Sequence, residues 1–308
     1  MEECEVLSEE SVSEPRHEVF ERYTVGFTAI LCVLVLVIVA ILGPLGLGIM
    51  EHRTSQSGVY QTTGQDLANL LLLTPILLIG GVLHLRKRDS SKYFLILTSI
   101  TLIYTGLSYG IGQEWSNPAY TGNIENYFWL FWAMIVGGLI IGMSSLSMFT
   151  EDDAPEFGRR GLRIYVILLA IFLLFFAIMW SSEVFEVIAT GNTASGSYQS
   201  SPTVFWVIRY LDLGVSIPIG FISIYLLVTR PKRAYPIVLL FFGFFVTLGT
   251  AVNTMALVQV LSGDPEIAGA ASAGLVIFPV LGVLAWAGFY YLVRDKIREK
   301  LGRTRTSG

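Results

Sequence analysis

Eight long apolar segments constrain the fold of this chain more than any other feature of its sequence. A bilayer core about 30 Å thick needs about 20 predominantly apolar residues in a helix that crosses it. Only 14% of the 308 residues are charged, against about a quarter in an average soluble domain. We therefore predict an all-α polytopic membrane bundle whose eight transmembrane helices cover residues 24–50, 67–85, 92–113, 127–149, 162–188, 203–228, 235–260 and 268–293.

The basic residues are concentrated on one side of the predicted bundle. Eighteen of the 20 lysines and arginines lie in the two tails or in the second, fourth and sixth connections between helices. Arg53 lies in the opposite loops and Arg209 in a helix. Because cytoplasmic loops of membrane proteins carry an excess of Lys and Arg, we expect a protein of the cell membrane with both termini in the cytoplasm.

The loops and helix ends on the other side are acidic and nearly lack cations. These loops either simply lack the basic residues that would stop their translocation, or they form a funnel for a small polar or cationic ligand. The acidic residues in question are Glu51, Asp66, Glu114, Glu125, Glu183, Glu186, Asp264 and Glu266.

The two tails differ in charge. Residues 1–23 contain eight glutamates and no apolar core, so we expect a solvated acidic tail rather than a signal peptide. Residues 294–308 form a basic tail. The two cysteines, Cys4 and Cys32, lie in a polar tail and an apolar helix, which argues against a disulfide framework or a thiolate metal site.

An internal repeat divides the predicted bundle into two four-helix halves, residues 24–160 and 161–293. The stretches DLANLLLLTPILLIGGVLHLRKR from Asp66 and DLGVSIPIGFISIYLLVTRPKR from Asp212 both begin with Asp-Leu, contain one proline and end in a basic cluster. A shift of 146 residues relates them and superposes the other helices. Such halves have the same orientation, and transporters with repeats bind substrates at the repeat interface. Alternatively, the likeness reflects only features that membrane helices share.

Arg209 and Asp212 are the strongest site candidates, because an ionisable residue inside a membrane helix costs roughly 2.5 to 3.5 kcal/mol. They are three residues apart and share a helix face. They either bind a substrate or coupling ion, or form a structural ion pair or hydrogen-bond network with neighbouring helices. Gly214 and Pro218, with Pro75 in helix two, predict helix breaks at the site, although proline is also ordinary in membrane helices.

Four further polar residues extend the candidate site for a substrate or ion. Asp66, the counterpart of Asp212 in the repeat, either binds the ligand or caps its helix. Glu183 and Glu186 lie three residues apart and either join a carboxylate cluster with Asp212 or are solvated at the membrane interface. Asn253 either lines the pocket or bonds a neighbouring helix.

Small and aromatic residues are interpreted through packing and the membrane. Glycine and other small residues in helices four and eight favour close packing within the bundle or between the subunits of a homo-oligomer. An interfacial belt in contact with the lipid bilayer explains the aromatic residues near the acidic helix ends. These are Trp115, Tyr127, Phe128, Trp129, Trp132, Trp180 and Trp206.

Familiar catalytic and cofactor motifs are absent from the sequence. The three histidines, His17, His52 and His84, are not placed on facing helices at one depth, as a bis-histidine haem site requires. There is no P-loop, HExxH or GxSxG motif, and helix seven lacks a lysine for a retinal Schiff base. We therefore expect no catalytic residue, cofactor, metal or nucleic acid partner.

The motifs Asp66-Leu67, TGLSYGIGQEWSNP and LDLGVSIPIG followed by RPKR carry a resemblance to a family. The chain resembles eight-helix integral membrane proteins of bacteria and archaea, in which the second half similarly carries Asp-Leu-Gly, an apolar pair and proline. The resemblance extends from about Leu42 to Gln259. It implies a prokaryotic membrane protein, and it implies no particular activity.

Three functions remain open at this point. The leading hypothesis is a small-molecule or ion transporter, or a membrane subunit associated with transport, in which Asp212 and Arg209 bind the substrate or coupling ion. The alternative is a scaffold or sensor whose acidic loops bind a ligand or partner and whose basic tail contacts anionic lipid or a cytoplasmic protein. A lipid-acting membrane enzyme is third, because paired acids could support acid-base chemistry.

Overall fold

The computed structural model describes residues 16–194, 197–265, 278–294 and 296, and these residues form helices and connections without β-strands. The predicted all-α class is therefore confirmed. The α-helices are α1 (Arg16–Leu42), α2 (Gln56–Ala68), α3 (Thr74–Leu85), α4 (Ser91–Ile111), α5 (Phe128–Ser147), α6 (Arg159–Thr190), α7 (Ser197–Ser200), α8 (Pro202–Leu211), α9 (Ile217–Thr229), α10 (Pro231–Leu261) and α11 (Phe278–Arg294).

Seven continuous helical spans are long and apolar enough to cross a bilayer, which indicates a multi-pass membrane protein. They are His17–Leu42, Gln56–Leu85, Ser91–Ile111, Ile124–Ser147, Arg159–Thr190, Pro202–Thr229 and Pro231–Leu261. The apolar helix α11 is shorter. The first part of the predicted eighth segment, residues 268–277, lies outside the described residues, so an eighth span stays a prediction.

Three predicted helix boundaries near the start of the chain are wrong. Helix α1 begins at Arg16 and ends at Leu42, whereas the sequence predicted a tail to residue 23 and a helix to residue 50. Gly43 and Pro44 follow the helix, and proline disfavours helical geometry in the residue before it. The second span begins at Gln56 rather than at the predicted residue 67, because the Ser55 side chain caps it by accepting a hydrogen bond from the Gly58 N–H.

The second and sixth spans each contain a π-helical segment. These segments cover Asn69–Leu73, between α2 and α3, and Asp212–Ser216, between α8 and α9. Each ends two residues before a proline, Pro75 or Pro218. Because proline lacks an N–H group, it cannot complete the α-helical pattern, and the turn before it widens. Both helices therefore continue through the positions where the sequence predicted breaks, and Gly214 lies inside the second π segment.

The buried apolar side chains form two clusters. The first cluster lies among α1, α3, α4 and α5. The second lies among α6, α9, α10 and α11, and Ile96 and Leu97 of α4 extend into it. Helix α4 packs against α10, with further contacts between α2 and α10 and between α4 and α8. This group of contacts forms the interface between residues 16–158 and the later part of the chain, and it is called the central interface below.

Two glycines allow the helices of the central interface to approach closely. A Cβ atom on Gly243 of α10 would lie 2.5 Å from the Leu97 Cα atom of α4. A Cβ atom on Gly64 of α2 would lie 2.4 Å from the Met255 Cα atom of α10. Both distances are far below van der Waals contact, so backbone meets backbone at these points.

The connections lie at two ends of the bundle. The end that holds residues 43–55, 112–123, 191–194 and 262–265 is called the acidic end, and the end that holds residues 86–90 and 148–158 is called the basic end. Ion pairs join connections at the basic end. Lys92 binds Asp89 and Asp153 at 2.7 and 2.8 Å, and Arg233 binds Glu151 at 2.7 Å.

Candidate functional site

Arg209 is buried near the end of α8 and is surrounded by aromatic rings. Its guanidinium carbon lies 4.0 Å from the centre of the Trp180 ring and 4.1 Å from that of Phe205. It also forms an ion pair with Glu183 of α6. Cation–π contacts are strongest when the cation is desolvated. The charge of Arg209 is therefore compensated within the bundle, by a carboxylate on one side and two ring faces on the others.

Asp212 lies one turn further along the span, at the start of the second π segment. It is 4% exposed, and its Oδ2 atom accepts a hydrogen bond of 2.8 Å from the Trp180 Nε1–H group. Tyr104 of α4 lies within electrostatic range of both Asp212 and Arg209. Trp180 thus joins the two charged residues, since its ring face contacts Arg209 and its N–H binds Asp212. Arg209 itself pairs with Glu183 rather than with Asp212.

Three of the predicted site residues, Glu186, Asn253 and Asp66, lie outside this cluster. Glu186 is directed to the loop after α6, where its Oε1 atom accepts a hydrogen bond of 2.9 Å from the Ala194 N–H. Asn253 donates to the Phe278 carbonyl oxygen at 3.0 Å and to the Gly249 carbonyl oxygen at 2.7 Å. Asn253 therefore ties α10 to α11, as the helix-bonding interpretation of this residue describes.

Asp66 forms a separate buried site in the first half of the chain. It is 1% exposed, and its Oδ1 atom accepts a hydrogen bond of 2.8 Å from the Tyr109 hydroxyl. Its Oδ2 atom is buried and has no hydrogen-bond partner among the described residues. Asp66 is near the C-terminal end of α2 rather than at a helix start, so it does not cap the helix as the alternative interpretation predicted. Asn69 bonds Gln65 at 2.9 Å on the same helix.

A buried histidine and a buried glutamine contact Tyr109, the residue that donates a hydrogen bond to Asp66. The His52 ring packs edge-on against Tyr109 with a centroid distance of 5.2 Å. The Gln113 side-chain nitrogen lies 3.1 Å from His52 Nδ1 and donates to the Tyr109 carbonyl oxygen at 2.8 Å. Burial lowers the pKa of His52 to about 4, so this ring is neutral at physiological pH.

The two π segments give a different alignment of the halves from the one that the sequence predicted. A shift of 143 residues superposes Asn69–Leu73 on Asp212–Ser216 and Pro75 on Pro218. With this shift, Asp66 corresponds to Arg209, and Asn69 corresponds to Asp212. Asp66 and Asp212 both begin an Asp-Leu motif in the sequence. They differ in position, because Asp66 lies three residues before its π segment and Asp212 is the first residue of the other. The two halves therefore carry an acidic residue and a basic residue, respectively, three residues before the π segment.

Hydroxyl groups of α4 form a polar stripe at and near the central interface. Thr101, Thr105 and Ser108 follow one another at intervals of four and three residues, which places them on one helix face. The Thr101 hydroxyl bonds that of Thr247 on α10. The Thr105 and Ser108 hydroxyl oxygens are buried without a hydrogen-bond partner in the described part of the chain. Since buried polar groups are nearly always paired, these atoms indicate sites for water or a polar ligand.

Two reciprocal side-chain contacts join the halves at the acidic end. Glu114, which follows α4, accepts hydrogen bonds from the Thr203 N–H at 2.8 Å and the Thr203 hydroxyl at 3.2 Å at the start of α8. Gln259, near the end of α10, donates to the Ser57 hydroxyl at 2.9 Å at the start of α2. In each contact, a side chain at the end of one helix bonds the first turn of a span in the other half of the chain. These two contacts are called the clasp below.

Two surface pockets are lined by residues other than Asp66 and Asp212. An apolar groove of about 450 Å³ runs between α4 and α8, lined by residues that include Leu107, Ile111, Trp206 and Tyr210. A polar cleft of about 600 Å³ lies at the basic end. Its lining carries both signs of charge, from Glu18, Glu21, Arg22, Lys87, Arg88, Asp89 and Lys92. Among the described residues, no three His, Cys, Asp or Glu side chains come together as ligands for a metal ion.

Sequence reasoning missed the partners of the charged residues. Trp180 was assigned to the interfacial belt, yet it binds Asp212 and covers Arg209. His52 was considered only as a haem ligand. The sequence does indicate that Tyr109 and Gln113 are neighbours, because they lie one helical turn apart. The hydrogen bond from Tyr109 to Asp66, however, joins residues that are 43 positions apart. No local pattern encodes such a contact.

Comparison of the chain with known protein families, with curated proteins and with solved structures gives no match. The function proposed below therefore rests on the geometry of the site.

Proposed function

We propose that this protein is a transporter of the cell membrane that moves a small polar or cationic solute along the central interface. The observation that carries the proposal is a set of buried polar atoms at or beside that interface that have no hydrogen-bond partner among the described residues: Asp66 Oδ2, Thr105 Oγ1 and Ser108 Oγ. In an apolar bundle, unpaired buried hydroxyl and carboxyl oxygens cost free energy. A function that requires water or a solute at these atoms explains their presence.

The charged cluster around Asp212 defines the second part of the proposed pathway. Asp212 lies in a π segment, a geometry that is frequent at functional sites. We assign Asp212 to the solute or coupling ion, and we assign Arg209 and Glu183 to holding α6 and α8 around it. Tyr104 extends from α4 toward this cluster, so one helix carries side chains near both Asp66 and Asp212.

The proposal includes the finer membrane architecture. We take α11 as part of an eighth span and the two halves as a parallel repeat of four helices each. Four observations support the repeat: two hydrophobic clusters, two π segments before prolines, the reciprocal clasp, and the bond between Thr101 and Thr247, which are 146 residues apart. The concentration of Lys and Arg in the tails and at the basic end supports cytoplasmic termini.

Accessibility of the polar stripe to water tests the proposal. Single cysteines are introduced as Thr105→Cys and Ser108→Cys in a background with Cys4→Ser and Cys32→Ala, and the protein is reconstituted in liposomes. A membrane-impermeant thiol reagent is added from either side. Transport by alternating access predicts that both positions react from both sides.

Three control positions calibrate this experiment. Ala119→Cys reports the acidic end and Glu156→Cys reports the basic end, since both residues are in connections and exposed. Leu139→Cys reports a face toward lipid, because Leu139 is an apolar residue of α5 that is 51% exposed, and it should stay unlabelled. Reaction of the stripe from one side only would overturn transport and favour the ligand-binding sensor. Protection from both sides, in folded variants, would leave the stripe as a structural feature.

A further inference from the structure

Asp66 is a carboxyl group deep in the bundle whose charge is not compensated by the described residues. It lies ten residues after Gln56, or about 15 Å along the helix at 1.5 Å per residue. The described ion pairs involve other residues. Among the described residues, its one hydrogen-bond donor is the neutral Tyr109 hydroxyl. An ionised carboxylate with a single neutral donor is strongly disfavoured in such surroundings.

The unpaired oxygen of Asp66 faces the carbonyl end of α1. A Cβ atom on Gly43, the residue after α1, would lie 2.9 Å from Asp66 Oδ2 and 2.7 Å from the Val39 carbonyl oxygen. The absence of a side chain at Gly43 is what leaves room for Oδ2. The C-terminal end of a helix is the negative end of its dipole. A carboxylate is repelled there, whereas a protonated carboxyl group is neutral and is not repelled.

The other groups that pack around Asp66 do not supply a positive charge. Tyr109 on α4 is neutral, and the buried His52 beyond it is neutral because burial lowers its pKa. On α10, Thr254 and Met255 pack against Gly64, two residues before Asp66. Gln65 and Asn69 on the same span bond each other. The described surroundings on α1, α2, α4 and α10 are therefore uncharged.

We propose that Asp66 is a proton-binding site, and that the protein in this conformation holds a proton on Oδ2. Release breaks the Oδ2–H bond, and the proton passes to a water molecule that enters the central interface. The electron pair stays on the carboxylate, which the Tyr109 hydroxyl continues to stabilise. The further role of this proton as the coupling ion depends on the transport function proposed above, but its presence on Asp66 does not.

Infrared spectroscopy of the full-length protein in lipid tests the bound proton directly. A protonated carboxyl group has a C=O stretching band that is separate from carboxylate bands and shifts in D₂O. The wild type at pH 7 should show this band, and Asp66→Asn should lose it. Asparagine has nearly the shape of a protonated aspartic acid, so the variant should fold, which its thermal transition verifies.

Two further variants separate a proton site from a merely structural carboxyl group. Tyr109→Phe should keep the band but move it to higher frequency, because the carbonyl group loses a hydrogen bond. Glu114→Gln removes another buried acid, one that accepts two hydrogen bonds from Thr203, and should leave the band unchanged. A wild-type spectrum without the band, or a folded Asp66→Asn variant that retains it, would overturn the proposal.

The outcomes also separate this inference from the transport function. A band lost in Asp66→Asn, together with a polar stripe that no reagent reaches, would establish the proton and overturn transport. A stripe that reacts from both sides, with no carboxyl band, would support transport and overturn the proton site.

Discussion

At the scale of single residues, Glu183 and Glu186 form a matched pair of acids on α6 with different partners. Glu183 neutralises the buried Arg209, whereas Glu186 accepts a bond from an exposed loop. We expect Glu183→Gln to lower the free energy of unfolding by about 3 kcal/mol, because it leaves a buried charge uncompensated. Glu186→Gln should lower it by less than about 0.5 kcal/mol. Denaturant titration in mild detergent measures both, and equal losses would contradict the assigned pairing.

His52 predicts how stability depends on pH. Its pKa is lowered to about 4 by burial, from an ordinary value of 6.5, so the unfolded chain binds a proton more readily than the folded protein. Between pH 6.5 and 4 the unfolded state is therefore favoured progressively, by up to about 3 kcal/mol. The His52→Asn variant has no imidazole at this position, so this pH-dependent loss of stability should be absent from it.

The measurement is the thermal midpoint of both proteins at a series of pH values. The wild type should lose stability more steeply than His52→Asn as the pH falls below 6.5. Parallel curves for the two proteins would show that the imidazole is protonated equally in the folded and unfolded states.

At the scale of helices, we expect a glycine-to-alanine substitution to have opposite effects on stability at positions 243 and 214. An alanine Cβ at position 243 would collide with the Leu97 backbone, and nothing lies within 4 Å of a Cβ at position 214. We expect Gly243→Ala to cost about 1 to 3 kcal/mol, since overpacking forces α4 and α10 apart. Gly214→Ala should be neutral or stabilising, because alanine has the higher helix propensity. Unfolding curves in detergent compare the two, and a larger loss in Gly214→Ala would contradict the packing at both positions.

The helices were largely predictable from the sequence, and their irregularities were not. Apolar runs predicted the seven described spans because length and hydropathy are local properties. The start of α2 at Gln56 was missed because Gln56–Gln65 is polar, and a Ser55 cap with packing on α10 holds it helical. The π segments were predicted only as breaks at Pro75 and Pro218. Whether a helix breaks or widens at proline depends on the helices packed around it.

The candidate site was predictable in part for a similar reason. Arg209 and Asp212 stand out because charges in apolar helices are costly, and that cost can be read from sequence. Their partner Trp180 lies on another helix, and the burial of one Asp66 oxygen against Gly43 depends on how α1 ends. Contacts of this kind arise from tertiary packing. The sequence alone therefore identified the charged residues and misassigned their surroundings.

At the scale of the whole molecule, the central interface predicts that the halves assemble as separate chains. We expect residues 1–160 and 161–308, expressed together as two polypeptides, to purify as one complex from mild detergent. The close contacts at Gly64 and Gly243 and the clasp provide complementary surfaces without help from the connecting loop. Gly243→Leu in the second fragment should abolish the association. Wild-type halves that purify apart would contradict the central role of this interface.

The bond between Thr101 and Thr247 has a consequence for ancestry when it is taken with the proposed repeat. In a homodimer with two-fold symmetry, a residue on the axis meets its own copy and every other contact occurs twice. Thr101 and Thr247 resemble a residue that meets its own copy on the axis. The two contacts of the clasp resemble one contact that occurs twice. Identical subunits cannot carry aspartate in one copy and arginine in the other. If the two halves descend from such a dimer, as the proposed repeat implies, the difference between Asp66 and Arg209 could arise only after the gene was duplicated, because from then on each half can specialise.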